Sequence, residues 1–383
     1  MRVLISTRPA FGHCHPLLPL ARALDGAGHE VAFATGDPFT ARIEAAGFTA
    51  FSAGLTVDRW ESELNRRFGG LAGIPRAHNR TVFFGRVFSD LEVPARLRDL
   101  RTIMERWAPD LLVHGIAEFA APLAAALAEV PYATCGFGPL LQPDIAELAG
   151  RAVGRHWEEA GLDPLDARMY RSLYLDPCPP SLQVPAIEEL PAKLQMRPEA
   201  AEPEGVDLVP TPVVKPSRDR TVYLTLGTIF NRDSQVFKTV LDALAEQPVN
   251  VIATIGPDGD PSAFGPRPAN AYLARYIPQA QLLPHCDLVI CHGGASSTFG
   301  ALSFGLPVLL LPRGADNFYN AERVLAAGAG RRLLDADITA ESVANEVAFL
   351  LEDDRCSAAA RMIAEEIAAM PASVAAVPAL ESL

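Results

Sequence analysis

The sequence predicts an α/β protein made of two successive domains, each organised around a parallel sheet. Three observations lead there. Apolar strand-like runs alternate with helix-periodic segments in both halves of the chain. A stretch rich in proline and charge, from Glu199 to Arg220, lacks any periodicity and separates those halves. Polar clusters follow predicted strands at Gly12-His13, Gly227-Thr228 and His292-Gly293-Gly294. In parallel α/β sheets, ligands bind beyond the carboxyl ends of the strands. Three such clusters imply a cleft with one wall from each half. The length agrees, because 383 residues exceed a typical single core. The expected boundaries are residues 1–200 and 220–383, with a linker at 201–219.

The elements follow in order. Residues 2–6, with Val3-Leu4-Ile5, read as the first strand, and residues 7–15 as its loop. Pro16 suits the first helical position. Leu17, Leu20, Ala21 and Leu24 then make an apolar face, Gly28 ends the helix, and Val31-Ala32-Phe33-Ala34 forms the second strand. This is a βαβ unit with a right-handed crossover. Residues 55–90 mix aromatics and arginines without regularity and read as loops or helices lining the cleft, or as a surface excursion. Leu111-Leu112-Val113 and an alanine-rich helix resume the alternation. After the linker come strands at residues 221–226, at Val251-Ile252-Ala253-Thr254, at Leu288-Val289-Ile290 and at Val308-Leu309-Leu310.

Composition narrows the function. Hydrophobic content of 49% and charged content of 21% describe a soluble globular chain. A net charge of −13 argues against binding nucleic acid or an anionic membrane, so any anionic ligand must be held by local devices. The N-terminus lacks the longer apolar region of a signal peptide, and the alanine-rich segment is too short to insert in a membrane. Six scattered cysteines without a CxxC pair read as reduced thiols, which fits a cytoplasmic protein.

The densest chemical signal lies between Cys291 and Asn320. A buried strand ends in His292-Gly293-Gly294, and Ser296 and Ser297 are candidate N-caps for a helix carrying Phe299 and Leu302. Gly305 suits a left-handed C′ position, and Pro307 opens the next strand. A glycine turn feeding a helix N-terminus aims unpaired N–H groups at one spot, which suits a diphosphate. An ordinary βαβ turn reads the same way.

These residues, with Tyr276-Ile277-Pro278-Gln279, resemble the glycosyltransferases of the GT-B fold. The likeness is greatest to the bacterial branch of family 1 that decorates antibiotics and other natural products. It spans nearly the whole chain and rests on Gly12-His13-Cys14-His15-Pro16, Leu226-Gly227-Thr228, the Tyr-Ile-Pro-Gln segment, residues 292–298, and Asp316-Asn317 followed by Asn320-Ala321-Glu322. The resemblance implies two Rossmann-like domains with parallel sheets facing across a cleft. The C-terminal domain would hold a nucleotide diphosphate sugar: Tyr276 and Ile277 at the base, with Gln279 nearby, and Gly227, Thr228, His292, Gly294, Ser296, Ser297 and Thr298 around the diphosphate. Asp316 and Asn317 would contact the sugar. Prearranged donors can stabilise a leaving diphosphate without a metal or other cofactor.

His13 is the expected general base, since an imidazole can take the proton of an attacking acceptor hydroxyl. A loop-packing histidine, or a metal ligand paired with His15, are the competing readings. The family often orients this histidine with an aspartate after the strand at residues 111–113. Here the segment is His114-Gly115-Ile116-Ala117-Glu118, so Glu118 or His114 substitutes, or His13 acts unaided. Carbon-glycosylation stays open on the same ground. Many relatives also carry a glutamate at the position of Gly300 to bind both ribose hydroxyls. Glycine there favours a dTDP-sugar over a UDP-sugar, and Asn317 in place of glutamine favours altered or missing sugar hydroxyls. Phe11, Trp60, Phe68, Phe83, Phe84, Phe88 and Phe137 suit a bulky hydrophobic acceptor such as a polyketide aglycone, or a core. The chain is expected to act alone, as monomer or homodimer, without an activator protein.

Three rivals remain. A dinucleotide-dependent oxidoreductase needs clustered glycines after the first strand, where only Gly12 occurs. A GT-B nucleotide-sugar epimerase would act without an acceptor. A non-catalytic sugar-nucleotide-binding subunit sits poorly with the retained Gly12-His13.

Overall fold

Val3, Leu4 and Ile5 are wholly buried, and alternate side chains enter different cores. The strand β1 (Arg2–Ser6) is therefore covered on both faces, as central parallel strands are. In the computed structural model it is joined by β2 (Glu30–Thr35), β3 (Thr49–Ser52), β4 (Leu111–Gly115), β5 (Tyr132–Cys135), β6 (Leu173–Asp176) and β7 (Lys193–Gln195). All pair in parallel in the order β3-β2-β1-β4-β5-β6-β7, with Val3 registered against Val31 and Leu111. The structure describes all residues except 38, 71–78, 165–169, 171, 200–216, 228–233, 257–258 and 261–266. The expected linker at 201–219 thus lies almost wholly outside the described residues.

A second parallel sheet comprises β8 (Arg220–Thr225), β9 (Val249–Thr254), β10 (Ala271–Ala274), β11 (Leu288–Cys291), β12 (Val308–Leu310) and β13 (Gly330–Arg332), ordered β10-β9-β8-β11-β12-β13. In each sheet the strand order reverses beside the first strand, between β1 and β4 and between β8 and β11. That is the doubly wound topology the alternating pattern predicted. On one face of the second sheet the helices Ser234–Leu244 and Ala340–Glu352 bury Phe237, Val240, Val343 and Val347 against Leu224, Ile290 and Leu309.

Local details differ from the sequence reading where tertiary contacts intervene. The loop expected at 7–15 contains a helical turn, Phe11–Cys14. Pro16 sits in a 3-10 turn, His15–Leu17, and the α-helix proper starts at Leu18 with Pro19 in its first turn. Residues 57–68 are helical, and Phe83–Glu92 form a π-helical segment leading into the helix Val93–Trp107. No single helix among the described residues is long and apolar enough to cross a membrane.

The chain divides into two compact units. The first holds Met1–Cys178, Gln183–Ala201 and Met370–Leu383; the second holds Pro179–Leu182 and Glu202–Ala369. The last residues, which the sequence grouped with the second domain, thus belong to the first unit. Ala376, Val377 and Leu380 enter the same core as Leu17, Leu20 and Leu24. Arg197 N donates to Pro371 O at 2.7 Å, and Ser373 Oγ to Glu199 Oε2 at 2.6 Å. Leu380→Ala should therefore destabilise the first unit by about 2–4 kcal/mol, read as a lower urea midpoint.

Candidate active site

Beyond Ser6 the chain leaves the carboxyl edge of β1 and folds into the turn Phe11–Cys14, which carries His13. Ala10 N and Cys14 Sγ both donate to Arg8 O, pinning the turn to the strand end. The His13 ring is half-buried and edge-on to Phe137, with centroids 4.8 Å apart. Its Nε2 lies 3.5 Å from Arg8 Nη1. A guanidinium only donates, so this nitrogen is the acceptor of a neutral imidazole. Burial first, then the charges of Arg8 and Arg96, hold the ring well below the usual histidine pKa.

Arg8 is itself fixed. Its Nε and Nη2 donate to Glu92 Oε2 and Oε1 at 2.8 and 2.7 Å, and Trp60 Nε1 donates to Glu92 Oε1 at 2.9 Å. The guanidinium stacks 3.8 Å from the Phe88 ring centroid. Both ion-pair side chains are largely buried, where a bidentate pair is held more firmly than on a surface. Sequence reasoning passed over Arg8 and Glu92. The available signals were an arginine at a strand end beside the histidine and an acidic residue amid apolar ones.

In place of the orienting role expected for it, Glu118 caps the helix Ala120–Ala128. Its carboxylate accepts from Ser6 Oγ at 2.7 Å, Ala120 N at 2.9 Å and Ala121 N at 3.2 Å, with Arg96 Nε at 3.8 Å. His114 engages Gly115 O through Nδ1 and Thr134 Oγ1 through Nε2, so both ring nitrogens serve the sheet.

The aromatic residues divide between two cores. Trp60, Phe68, Phe83, Phe84 and Phe137 pack at the margin of the core that contains Leu4 and Phe88. Phe83 and Phe84 lie 5.5 and 5.2 Å from Phe88. Phe11 packs instead with Phe39 and His15 on the core containing Ile5, the other face of the sheet. It is not brought together with the rest.

In the second unit, β11 runs into His292-Gly293-Gly294 and the helix Ala295–Ser303. Gly293 has φ 88°, and a Cβ there would meet Asn317 O at 2.9 Å. The His292 ring lies against two glycines: a Cβ on Gly294 would stand 2.5 Å from Nε2, and one on Gly227 2.6 Å from Cε1. Burial lowers the His292 pKa to about 4, so this ring too is neutral. Gly294 takes the N-cap position assigned to the serines, because the turn at Gly293 completes the reversal before Ala295. Ser296 is exposed and Ser297 buried within the first turn, whose amides have no partners inside the helix. Thr298 is buried, with Oγ1 3.9 Å from Cys291 Sγ. Gly305 has φ 69°, and the bonds Gly305 N to Leu302 O and Leu306 N to Ala301 O close the helix as expected. Thr228 lies outside the described residues.

Asp316 and Asn317 start the helix Asn317–Ala326. Asn317 is buried, and its Oδ1 accepts from Arg313 N at 3.4 Å and Gly314 N at 3.3 Å, so it closes its own loop. Asn320 ties this loop to the glycine turn: Nδ2 donates to Gly293 O at 2.8 Å and to Asp316 Oδ2 at 2.7 Å. Its position four residues after Asp316, one helical turn, was the legible signal. Tyr276 is 42% exposed while Ile277 is buried. The Gln279 carboxamide lies over Gly300, where a Cβ would meet Oε1 at 2.9 Å.

Residues 22–227 match the N-terminal domain of the erythromycin biosynthesis protein CIII-like family, and residues 238–383 its C-terminal domain. The chain is 32% identical over 379 residues to the L-demethylnoviosyl transferase of Streptomyces niveus, covering 97% of this chain and 95% of that protein. It is 27% identical to the tylactone mycaminosyltransferase of Streptomyces fradiae, covering 100% and 92%. Among solved structures, the spinosyn rhamnosyltransferase SpnG aligns with TM-score 0.82 and 26% identity over 100% of both chains. SpnG is also known in complex with thymidine diphosphate and with spinosyn aglycone. The two doubly wound sheets, the histidine turn after β1 and the glycine turn after β11 are accounted for together: the chain belongs to the erythromycin biosynthesis protein CIII-like family and is a glycosyltransferase of the GT-B fold.

Proposed function

We propose that this glycosyltransferase moves a deoxysugar from a dTDP-sugar to a hydrophobic natural-product aglycone, with inversion at the anomeric carbon and His13 as general base. The acceptor oxygen attacks the anomeric carbon and its proton passes to His13 Nε2. The diphosphate leaves with the bonding electrons toward the amide donors that open the helix Ala295–Ser303. Donors already in place stabilise the charge of the leaving group without reorganisation. A single displacement inverts the centre. Ile277, Tyr276 and Gln279 take the base end, and Asp316 takes the sugar hydroxyls.

The observation that carries the donor assignment is the Gln279 carboxamide over Gly300. No carboxylate stands at position 300 to pair with two ribose hydroxyls, so a deoxyribose leaves no partner unmet. The thymidine diphosphate complex of SpnG supports the same class of donor.

Thymidine diphosphate should raise the melting temperature more than uridine diphosphate does, and a dTDP-deoxysugar should be turned over faster than UDP-glucose. Equal or faster turnover of UDP-glucose would sink the donor assignment. Gly294→Ala forces a methyl group into the His292 ring, and overpacking of about 1–3 kcal/mol predicts roughly ten- to hundredfold weaker thymidine diphosphate binding by calorimetry. His13→Ala should lower kcat by roughly 10²–10⁴-fold while leaving that binding intact. Because burial and two arginines depress the His13 pKa, the ring stays in its base form from neutral pH down through the usual histidine range. The acid limb of kcat/KM should therefore fall below pH ~6.5, the unperturbed histidine value.

A further inference from the structure

Beside the proposed base stands a cation, and it faces Nε2, the nitrogen that would take the proton; the carboxylate that often orients a catalytic histidine bonds the other ring nitrogen. Arg8 Nη1 faces His13 Nε2 at 3.5 Å, while the other edge of the guanidinium is taken up by Glu92. The stack on Phe88 and the Trp60 bond to Glu92 hold this orientation. Arg96, the second cation bearing on His13, donates to Thr7 O at 3.1 Å and approaches Glu118 at 3.8 Å. Phe137, edge-on to the ring, is uncharged. The carboxylates therefore pair with the arginines and not with the imidazole.

That arrangement favours one charge distribution over another. An imidazolium formed beside Arg8 is opposed by the guanidinium; an oxyanion formed there is attracted to it. An aliphatic alcohol needs a strong base in the transition state, whereas an acidic hydroxyl needs little more than a donor for its developing anion. We propose that the acceptor hydroxyl is a phenol or enol, and that Arg8 Nη1, which faces His13 Nε2, holds its oxygen as the anion forms. The inference rests on the glycosyl-transfer reading above and narrows its acceptor. The O–H bond breaks, with its proton taken by His13 Nε2. The oxygen then bonds to the anomeric carbon, and the diphosphate departs with the electron pair. Arg8 contacts the reacting oxygen, and Glu92 is a positioning residue that aims it. The depressed pKa of His13 agrees, since it describes a weak base.

The test uses umbelliferone, whose phenol and phenolate absorb differently, and the coumarin carrying hydroxymethyl in place of its phenolic hydroxyl. With dTDP-rhamnose as donor, the phenol should exceed the alcohol in kcat/KM by roughly 100-fold or more. Independently of turnover, umbelliferone bound to the protein should titrate to phenolate at lower pH than it does free. Arg8→Gln should abolish that displacement and Arg8→Lys should keep part of it, each variant being checked for an unchanged melting profile. Glu92→Gln should shrink it without removing the charge. An alcohol used as fast as the phenol overturns the inference and leaves the glycosyltransferase standing. A bound phenol that titrates as it does in water, or whose displacement survives Arg8→Gln, overturns it even where neither acceptor is turned over. Failure to bind thymidine diphosphate would count against the donor reading alone, because the titration needs no donor.

Discussion

A parallel sheet covered on both faces must satisfy its backbone polar groups through its own ladder, and this constraint shapes everything else in the molecule. The strands β1, β4, β8 and β11 are buried from end to end save at a terminus, and their backbone polar groups are taken up by pairing along their length. Chemistry is confined to the carboxyl edge, where the ladders stop. The strand order reverses at β1 and β4 in one sheet and at β8 and β11 in the other, so the loops diverge there and leave room. His13 and the His292 turn each occupy that position in their own unit.

The polar residues inside each unit divide their work accordingly. Glu118 and Asn320 spend their hydrogen bonds on architecture: the first caps a helix, the second couples two loops. Asn250 does the same at the start of the second sheet, accepting from Ser217 and Arg218 and donating to the carbonyls of Arg218 and Arg220. A buried polar group left without such partners would cost about 1–3 kcal/mol, so these assignments are costly to change. His13 is held neutral by burial and two arginines, and His292 by burial, while the opening amides of the helix Ala295–Ser303 have no partners inside that helix.

Glycine has a steric function in the second unit. Gly227 and Gly294 exist as glycines because the His292 ring passes within a Cβ's reach of both, and Gly293 because Asn317 O does. The three therefore form one device, a backbone cradle around an imidazole. In the first unit the comparable device is built from side chains, an arginine clamped by a glutamate, a tryptophan and a phenylalanine. A clamped guanidinium is a fixed charge, and fixed charges act on a developing anion without the cost of rearrangement.

Much of this was legible in the sequence. Periodicity gave the βαβ order because an apolar run bounded by glycine and proline has few other folds, and the motif at residues 292–298 marked the glycine turn that opens a helix. Gly305 announced the end of its helix, since few other residues take a left-handed backbone readily. What the sequence left open was partnership. The resemblance offered Glu118 or His114 to His13, because the family often carries an aspartate after the strand at residues 111–113, and only the folded chain assigned the Glu118 carboxylate to a helix N-terminus. The sequence put the serines at the N-cap, whereas packing moved the cap to Gly294, and it gave no sign that Asn317 would be buried and bonded to its own loop. It ended the second domain at the last residue, while Val377 and Leu380 found a core in the first unit. Local pattern determines which element forms, because it acts over a few residues. Which donor meets which acceptor is decided by contacts between segments as far apart as Arg8 and Glu92, or Gly293 and Asn320, and only tertiary structure brings those together.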